Sequence, residues 1–190
     1  MPRVPAWGGT PNGRARRPRR RLLLAIGLAI AVAVLPTIAL ATTVLGYRVS
    51  GIQVGVSGPD GFGNFTSSFA GAATSTTQAG EYGLWAASVY RTGFDVNGDA
   101  AILGGIFRLK STVRSVIGAF TSGTVVGPAP STTPCVNEVF AVNAAMTITA
   151  PESGWGTFVG TLTHYRRVIF GFCRTVGASI TGTVLLTLGS

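Results

Sequence analysis

The sequence predicts an all-β domain, a small antiparallel β-barrel of about 6–8 strands, with a two-sheet β-sandwich as the alternative. Three observations carry this. Beyond residue 41 the helix formers Glu, Lys and Gln are scarce, β-branched residues abound, and Lys110 is the single lysine. The C-terminal third alternates apolar and polar positions with period two. Its two outer apolar runs are each about 13 residues long, roughly 43 Å at the rise of a strand, and strands of that length usually bend round a closed sheet.

In chain order, the first element is a leader. Arg14, Arg16, Arg17, Arg19, Arg20 and Arg21 form a cationic block, Leu22 to Leu35 carries no polar side chain, and Pro36 breaks the run before Ala39-Leu40-Ala41. A basic n-region (1–21), an apolar h-region (22–35) and small residues at Ala39 and Ala41 make a signal peptide over 1–41, read by the export machinery and a signal peptidase. A single secreted domain over 42–190 would remain. Arg19-Arg20-Arg21-Leu22-Leu23 fits a twin-arginine route as well as a Sec one. The apolar stretch also continues to Leu45, so an uncleaved single-pass anchor through 22–45 is the alternative.

Past the leader, Ile52, Val54 and Val56 alternate with Gln53 and Gly55, a short strand stopped by Gly58-Pro59-Asp60-Gly61. Phe62 to Phe69 reads as a second strand, and the small, polar stretch Ala70 to Gly80 as a loop. Leu84 to Phe94 and Ala100 to Lys110 flank Asp95-Val96-Asn97-Gly98-Asp99, where Asn-Gly signals a tight hairpin. On the second arm Leu103, Gly105, Phe107 and Leu109 share a parity. Val113 to Val126 holds a further strand, and the proline-rich 127–134 a loop.

The last three strands are the clearest. Val136, Phe140, Val142, Ala144, Met146 and Ile148 fall on one parity. Phe158, Gly160, Leu162 and His164 follow a turn at Pro151–Gly156. Val176, Ala178, Ile180, Val184, Leu186 and Leu188 follow another near Phe170-Gly171. This is a three-stranded antiparallel meander with one wet face.

Charge and cysteine content narrow the function. The formal +9 is concentrated in the leader; the exported part has eight basic and six acidic side chains, a net of +2 (8 − 6). That is no nucleic-acid footprint. Cys135 and Cys173, both in the exported part, read as a disulfide in an oxidising compartment. With one His and no CxxC there is no metal site, and no cofactor is called for. Asp95-x-Asn97-x-Asp99 resembles the start of a calcium loop, but Ala100 and Ile106 stand where such a loop needs Gly and a bidentate Glu, so a hairpin turn is the better reading. No G-x-S-x-G is present, and any hydrolytic triad would have to use His164.

His164-Tyr165-Arg166-Arg167 is the densest polar cluster. Parity places His164 with Phe158 and Leu162, beside a gap left by Gly160, so His164, Tyr165 and Arg166 form the candidate ligand pocket at a barrel mouth. The competing reading is a structural histidine, hydrogen-bonded near a strand end. Trp85, Trp155, Tyr82 and Tyr90 could form an aromatic binding surface or pack the core. Asn64-Phe65-Thr66 matches a glycosylation sequon.

Thr161-Leu162-Thr163-His164-Tyr165-Arg166, followed by Phe170-Gly171-Phe172-Cys173 and Thr175, resembles a segment of small exported proteins of high-GC Gram-positive bacteria. The resemblance covers the last third of the chain. It implies export and carries over no chemistry.

The reading that follows is an exported, non-enzymatic β-domain that binds a small apolar ligand or a cell-envelope component. The alternatives are an isomerase- or cyclase-type enzyme in a barrel, with its polar residues among His164, Tyr165 and Arg166, and a structural envelope protein without a ligand. A cavity reaching His164 favours the first two; a barrel filled by side chains favours the third.

Overall fold

The computed structural model describes residues 42–128 and 134–189. The expected leader, with its Ala39 and Ala41 cleavage site, lies outside them. Eight strands follow one another: β1 Thr42–Ser57, β2 Phe65–Ser75, β3 Tyr82–Arg91, β4 Ala100–Ser111, β5 Ser115–Val126, β6 Glu138–Ala150, β7 Gly154–Ile169 and β8 Phe172–Gly189. Each pairs antiparallel with the next. β8 returns to β1 from Thr42↔Gly189 to Ile52↔Ser179, closing the sheet. The result is an up-and-down barrel rather than a sandwich, with no free sheet edge. Residues 42–45, which a membrane span over 22–45 would use, belong to this closing ladder, and Leu45 is buried in the core.

An eight-stranded barrel has an interior just wide enough for its own side chains or one small ligand. Phe140, Val142, Ala144, Met146 and Ile148 of β6 point inward, as do Phe158 and Leu162 of β7 and Ala178, Ile180, Val184, Leu186 and Leu188 of β8. These are the inward sets that parity predicts, except that Val136 and Val176 are exposed. The gap expected at Gly160 is filled: Cβ atoms at Gly160 and Gly182 would meet the ring of Phe158, which lies over both.

Three local expectations change. β1 is longer than the run Ile52–Val56, and its inward residues are Leu45, Tyr47 and Val49; Ile52, Val54 and Val56 face outward. The indole of Trp85 lies over Gly51 and takes the interior space there, donating Nε1–H to the Ser50 carbonyl at 3.0 Å. β2 runs through Ala70–Ser75, where a loop was expected. Its small side chains suit a close approach, since a Cβ at Gly71 would stand 1.9 Å from the Ser50 oxygen. In β4 Ile102 is buried but Leu103 is 46% exposed, while Phe107 and Leu109 are buried. Tyr90 pairs with Gly104 but Arg91 with Ile102, so Leu103 is an extra residue that flips the parity. Gly105 has φ 141°, a conformation that only glycine adopts without strain.

The loops fall at two ends. The β2–β3, β4–β5 and β6–β7 turns cluster with both ends of the barrel chain. At this closed end Glu81 is buried, accepting hydrogen bonds from Tyr47 Oη (2.8 Å) and Ser111 Oγ, with Arg114 Nε at 3.4 Å. The β1–β2, β3–β4, β5–β6 and β7–β8 connections surround the other end, the mouth. There β7 and β8 outrun their neighbours. Glu138↔His164 is the last β6–β7 pair, and residues 165–177 pair only with each other as a two-stranded ribbon. Phe170 and Gly171, both at positive φ, make its two-residue turn. Cys135, in the chain leading to β6, is disulfide-bonded to Cys173 in that ribbon.

Candidate functional site

The inward residues at the mouth end enclose a cavity. Its floor and walls are apolar: Phe69, Trp85, Ile102, Phe120, Val142 and Phe158 are among them. Four polar side chains from four strands also line it: Gln53 (β1), Ser67 (β2), Arg91 (β3) and His164 (β7). The room open to the centres of water-sized molecules is about 50 Å³, and a second, deeper void near Met146 offers about 20 Å³.

His164 reaches the cavity because it holds the inward phase of Phe158 and Leu162. Its ring lies 4.8 Å from that of Phe140 and 5.7 Å, edge-on, from that of Phe94. It makes no hydrogen bond to the described residues, so the strand-end anchor expected of a structural histidine is absent among them. Burial pushes its pKa below the ordinary value of 6.5; Glu138 opposes this, and the Arg91 and Arg166 charges add to it. The imidazole is therefore neutral at neutral pH and offers one donor and one acceptor.

Tyr165 and Arg166 do not join it. Tyr165 has the outward phase, its hydroxyl 2.8 Å from Ser179 Oγ. A register shift separates it from Arg166, which forms an ion pair with Glu138 and donates its backbone N–H to Asn137 Oδ1 at 3.1 Å. Both belong to the rim.

Gln53, Ser67 and Arg91 are the site residues that sequence reading missed. Arg91 ends β3 and is only 9% exposed. Its Nε donates to Ser67 Oγ (3.2 Å) and its Nη1 to the Thr92 carbonyl (2.9 Å). The guanidinium carbon sits 4.6 Å from the Phe94 ring centre and 5.3 Å from that of Phe65, within cation–π range. Burial lowers its pKa, but a guanidinium stays charged. The signal was present: Trp85, Ala87, Val89 and Arg91 share one parity, so a strand running to Arg91 turns that arginine inward with the apolar set.

The other candidate groups are structural. Asp95 accepts the backbone N–H groups of Asn97 and Asp99 at 2.8 and 2.9 Å, which holds its carboxyl below the usual carboxylate range and shapes the β3–β4 turn. Trp85 is inside the barrel, whereas Trp155 and Tyr82 are exposed on its outside, so the four aromatics form no common surface. Asn64 donates its amide to Tyr90 Oη (2.8 Å), and that hydroxyl donates to Asp60 Oδ2 (2.6 Å), pinning the β1–β2 loop to β3.

No protein-family model matches the chain, and neither a curated protein nor a solved structure is detectably similar to it.

His164 is the single histidine, so its burial has a clean pH signature. A depressed folded-state pKa means the unfolded chain binds the proton more readily. Stability should be full above about pH 7, fall as pH drops through the ordinary histidine range, and level off below the folded-state value. Urea titrations across that window should show the slope in the wild type and not in His164→Gln. An unchanged slope in the variant would assign it elsewhere.

Proposed function

We propose that this chain is an exported, non-enzymatic barrel that takes up a small apolar ligand through its mouth. The observation that carries the reading is an apolar cavity whose polar groups are gathered at one end, among them a neutral His164 with no hydrogen-bond partner among the described residues. A structural envelope protein would have no use for an inward arginine and an unpartnered imidazole, both of which cost stability. Export is supported by the Arg-rich leader and by a disulfide suited to an oxidising compartment.

The test is extraction. Protein purified from the culture medium should begin at Thr42 and release a small molecule on denaturation, detectable by mass spectrometry. Ala144→Val, which pushes methyl groups into the cavity, should remain folded and release much less. A wild-type protein that releases nothing, and whose cavity methyl resonances do not move with 1-butanol, would leave the structural-scaffold reading instead.

A further inference from the structure

We infer that the occupant of this cavity is a small monocarboxylic acid, its hydrocarbon part among the apolar walls and its carboxylate on Arg91. This rests on the ligand-binding reading above and specifies the chemistry of the ligand.

Arg91 is nine-tenths buried at the inner end of the mouth, and a buried cation is costly unless something of opposite sign meets it. Among the described residues no carboxylate does. All six acidic side chains are among the described residues. Glu81 is at the closed end with Arg114, and Glu138 is paired with Arg166 on the rim. Asp60 accepts from Tyr90, and Asp95 and Asp99 serve the β3–β4 turn and the Gly127 N–H. Glu152 lies in the β6–β7 turn at the far end. The two ion pairs of the described residues leave Arg91 out.

Geometry then gives the shape of the missing partner. A guanidinium carries five N–H groups in a planar fork. Ser67 and Thr92 take two of them, which leaves three, including both on Nη2. A carboxylate matches such a fork with two parallel charge-assisted hydrogen bonds. Phe65 and Phe94 cover the guanidinium and keep water from competing. Gln53 and His164 line the same cavity and can each donate a hydrogen bond to an anion.

The walls decide against a bare inorganic anion. Below the polar groups the cavity is lined by Ile102, Val142 and Phe158, surface that would not solvate phosphate but would receive an alkyl chain. The size sets the chain length. The room is about 50 Å³, a third of the roughly 150 Å³ cavity that admits benzene. With the carboxylate in the open mouth against Arg91, that room takes an alkyl group of about three carbons.

Methyl-detected NMR on the exported protein, following Ile102, Val142 and Ile180, tests this with sodium butanoate, 1-butanol, butylammonium chloride and inorganic phosphate. Butanoate should bind at least about tenfold more tightly than 1-butanol, and butylammonium and phosphate should not compete with it. In Arg91→Met the affinity for butanoate should fall to that for 1-butanol, with 1-butanol unaffected. Should that variant not fold, the wild-type ligand series decides alone. Equal binding of acid and alcohol would overturn the carboxylate inference and leave the apolar pocket standing. Phosphate binding as well as butanoate would make this a simple anion site and overturn it too. No shift with any of the four would remove the pocket reading and this inference together.

Discussion

Replacing Glu81 with alanine should destabilise the barrel by about 3 kcal/mol, near the lower bound for breaking a buried ion pair because Arg114 is partly exposed. The carboxylate closes the bottom of the barrel. Tyr47 is completely buried and its hydroxyl, along with that of Ser111, donates to Glu81 Oε1. Removing the acceptor strands both donors and leaves the Arg114 charge beside an emptied site. The pKa values tell the same story. Desolvation works to raise Glu81, but the hydrogen bonds from Ser111 and Tyr47 and the Arg114 charge outweigh it and hold it below 4.5. Burial and the Glu81 bond push Tyr47 up to about 12. Since the folded-state pKa of Glu81 is depressed, its contribution is full at neutral pH and is lost as pH falls below the ordinary carboxylate range. Urea denaturation should show Tyr47→Phe costing less than Glu81→Ala, about 1–2 kcal/mol. A loss under about 1 kcal/mol for Glu81→Ala would mean water replaces the carboxylate there.

Loss of the disulfide should cost still more, about 3.5–4 kcal/mol. The bond joins residues 38 apart in sequence, and closing a loop of that length removes this much chain entropy from the unfolded state. It encloses β6 and β7 together with the turn of the ribbon. In the folded protein those strands are already held by the ladder, so Cys135→Ser/Cys173→Ser should keep the barrel and its strand content. The change should appear as a lower denaturation midpoint, with a steeper dependence on denaturant because the unfolded chain expands further. Loosening of the 165–177 ribbon should be visible in hydrogen exchange. A midpoint shift worth less than about 1 kcal/mol would mean that the unfolded chain is already compact in this region.

Legibility in the sequence followed locality. β6, β7 and β8 could be read with their inward residues because an unbroken alternation of apolar and polar positions has one solution. The β3–β4 turn was readable from Asn97-Gly98, and the bond between Cys135 and Cys173 from there being two cysteines in a sequence that predicts export. His164 was legible as a mouth residue because it continues the phase of Phe158 and Leu162. Tyr165 follows His164 directly and takes the opposite face, whereas Arg166 has His164's parity but lies in the ribbon beyond the last β6–β7 pair, where it meets Glu138 rather than the cavity. Arg91 was missed because polarity suggested an outward position, though the phase of Trp85 and Ala87 already pointed it inward.

The sequence by itself determined that the described domain is all-β, where most of its strands and turns fall, and which face of the last three strands is apolar. These follow from period-two patterning and turn chemistry, properties of a few neighbouring residues. Tertiary structure alone decided which apolar residues of β1 go inside, because Leu45, Tyr47 and Val49 are chosen by the interior space that Trp85 leaves. It decided the phase of β4, because the extra residue, Leu103, is visible only against β3. It made a strand of Ala70–Ser75, whose small residues carry no signal until β1 approaches within contact. And it brought Gln53, Ser67, Arg91 and His164 to one mouth, since closure of an eight-stranded sheet, and no spacing along the chain, places four separate strands around one cavity.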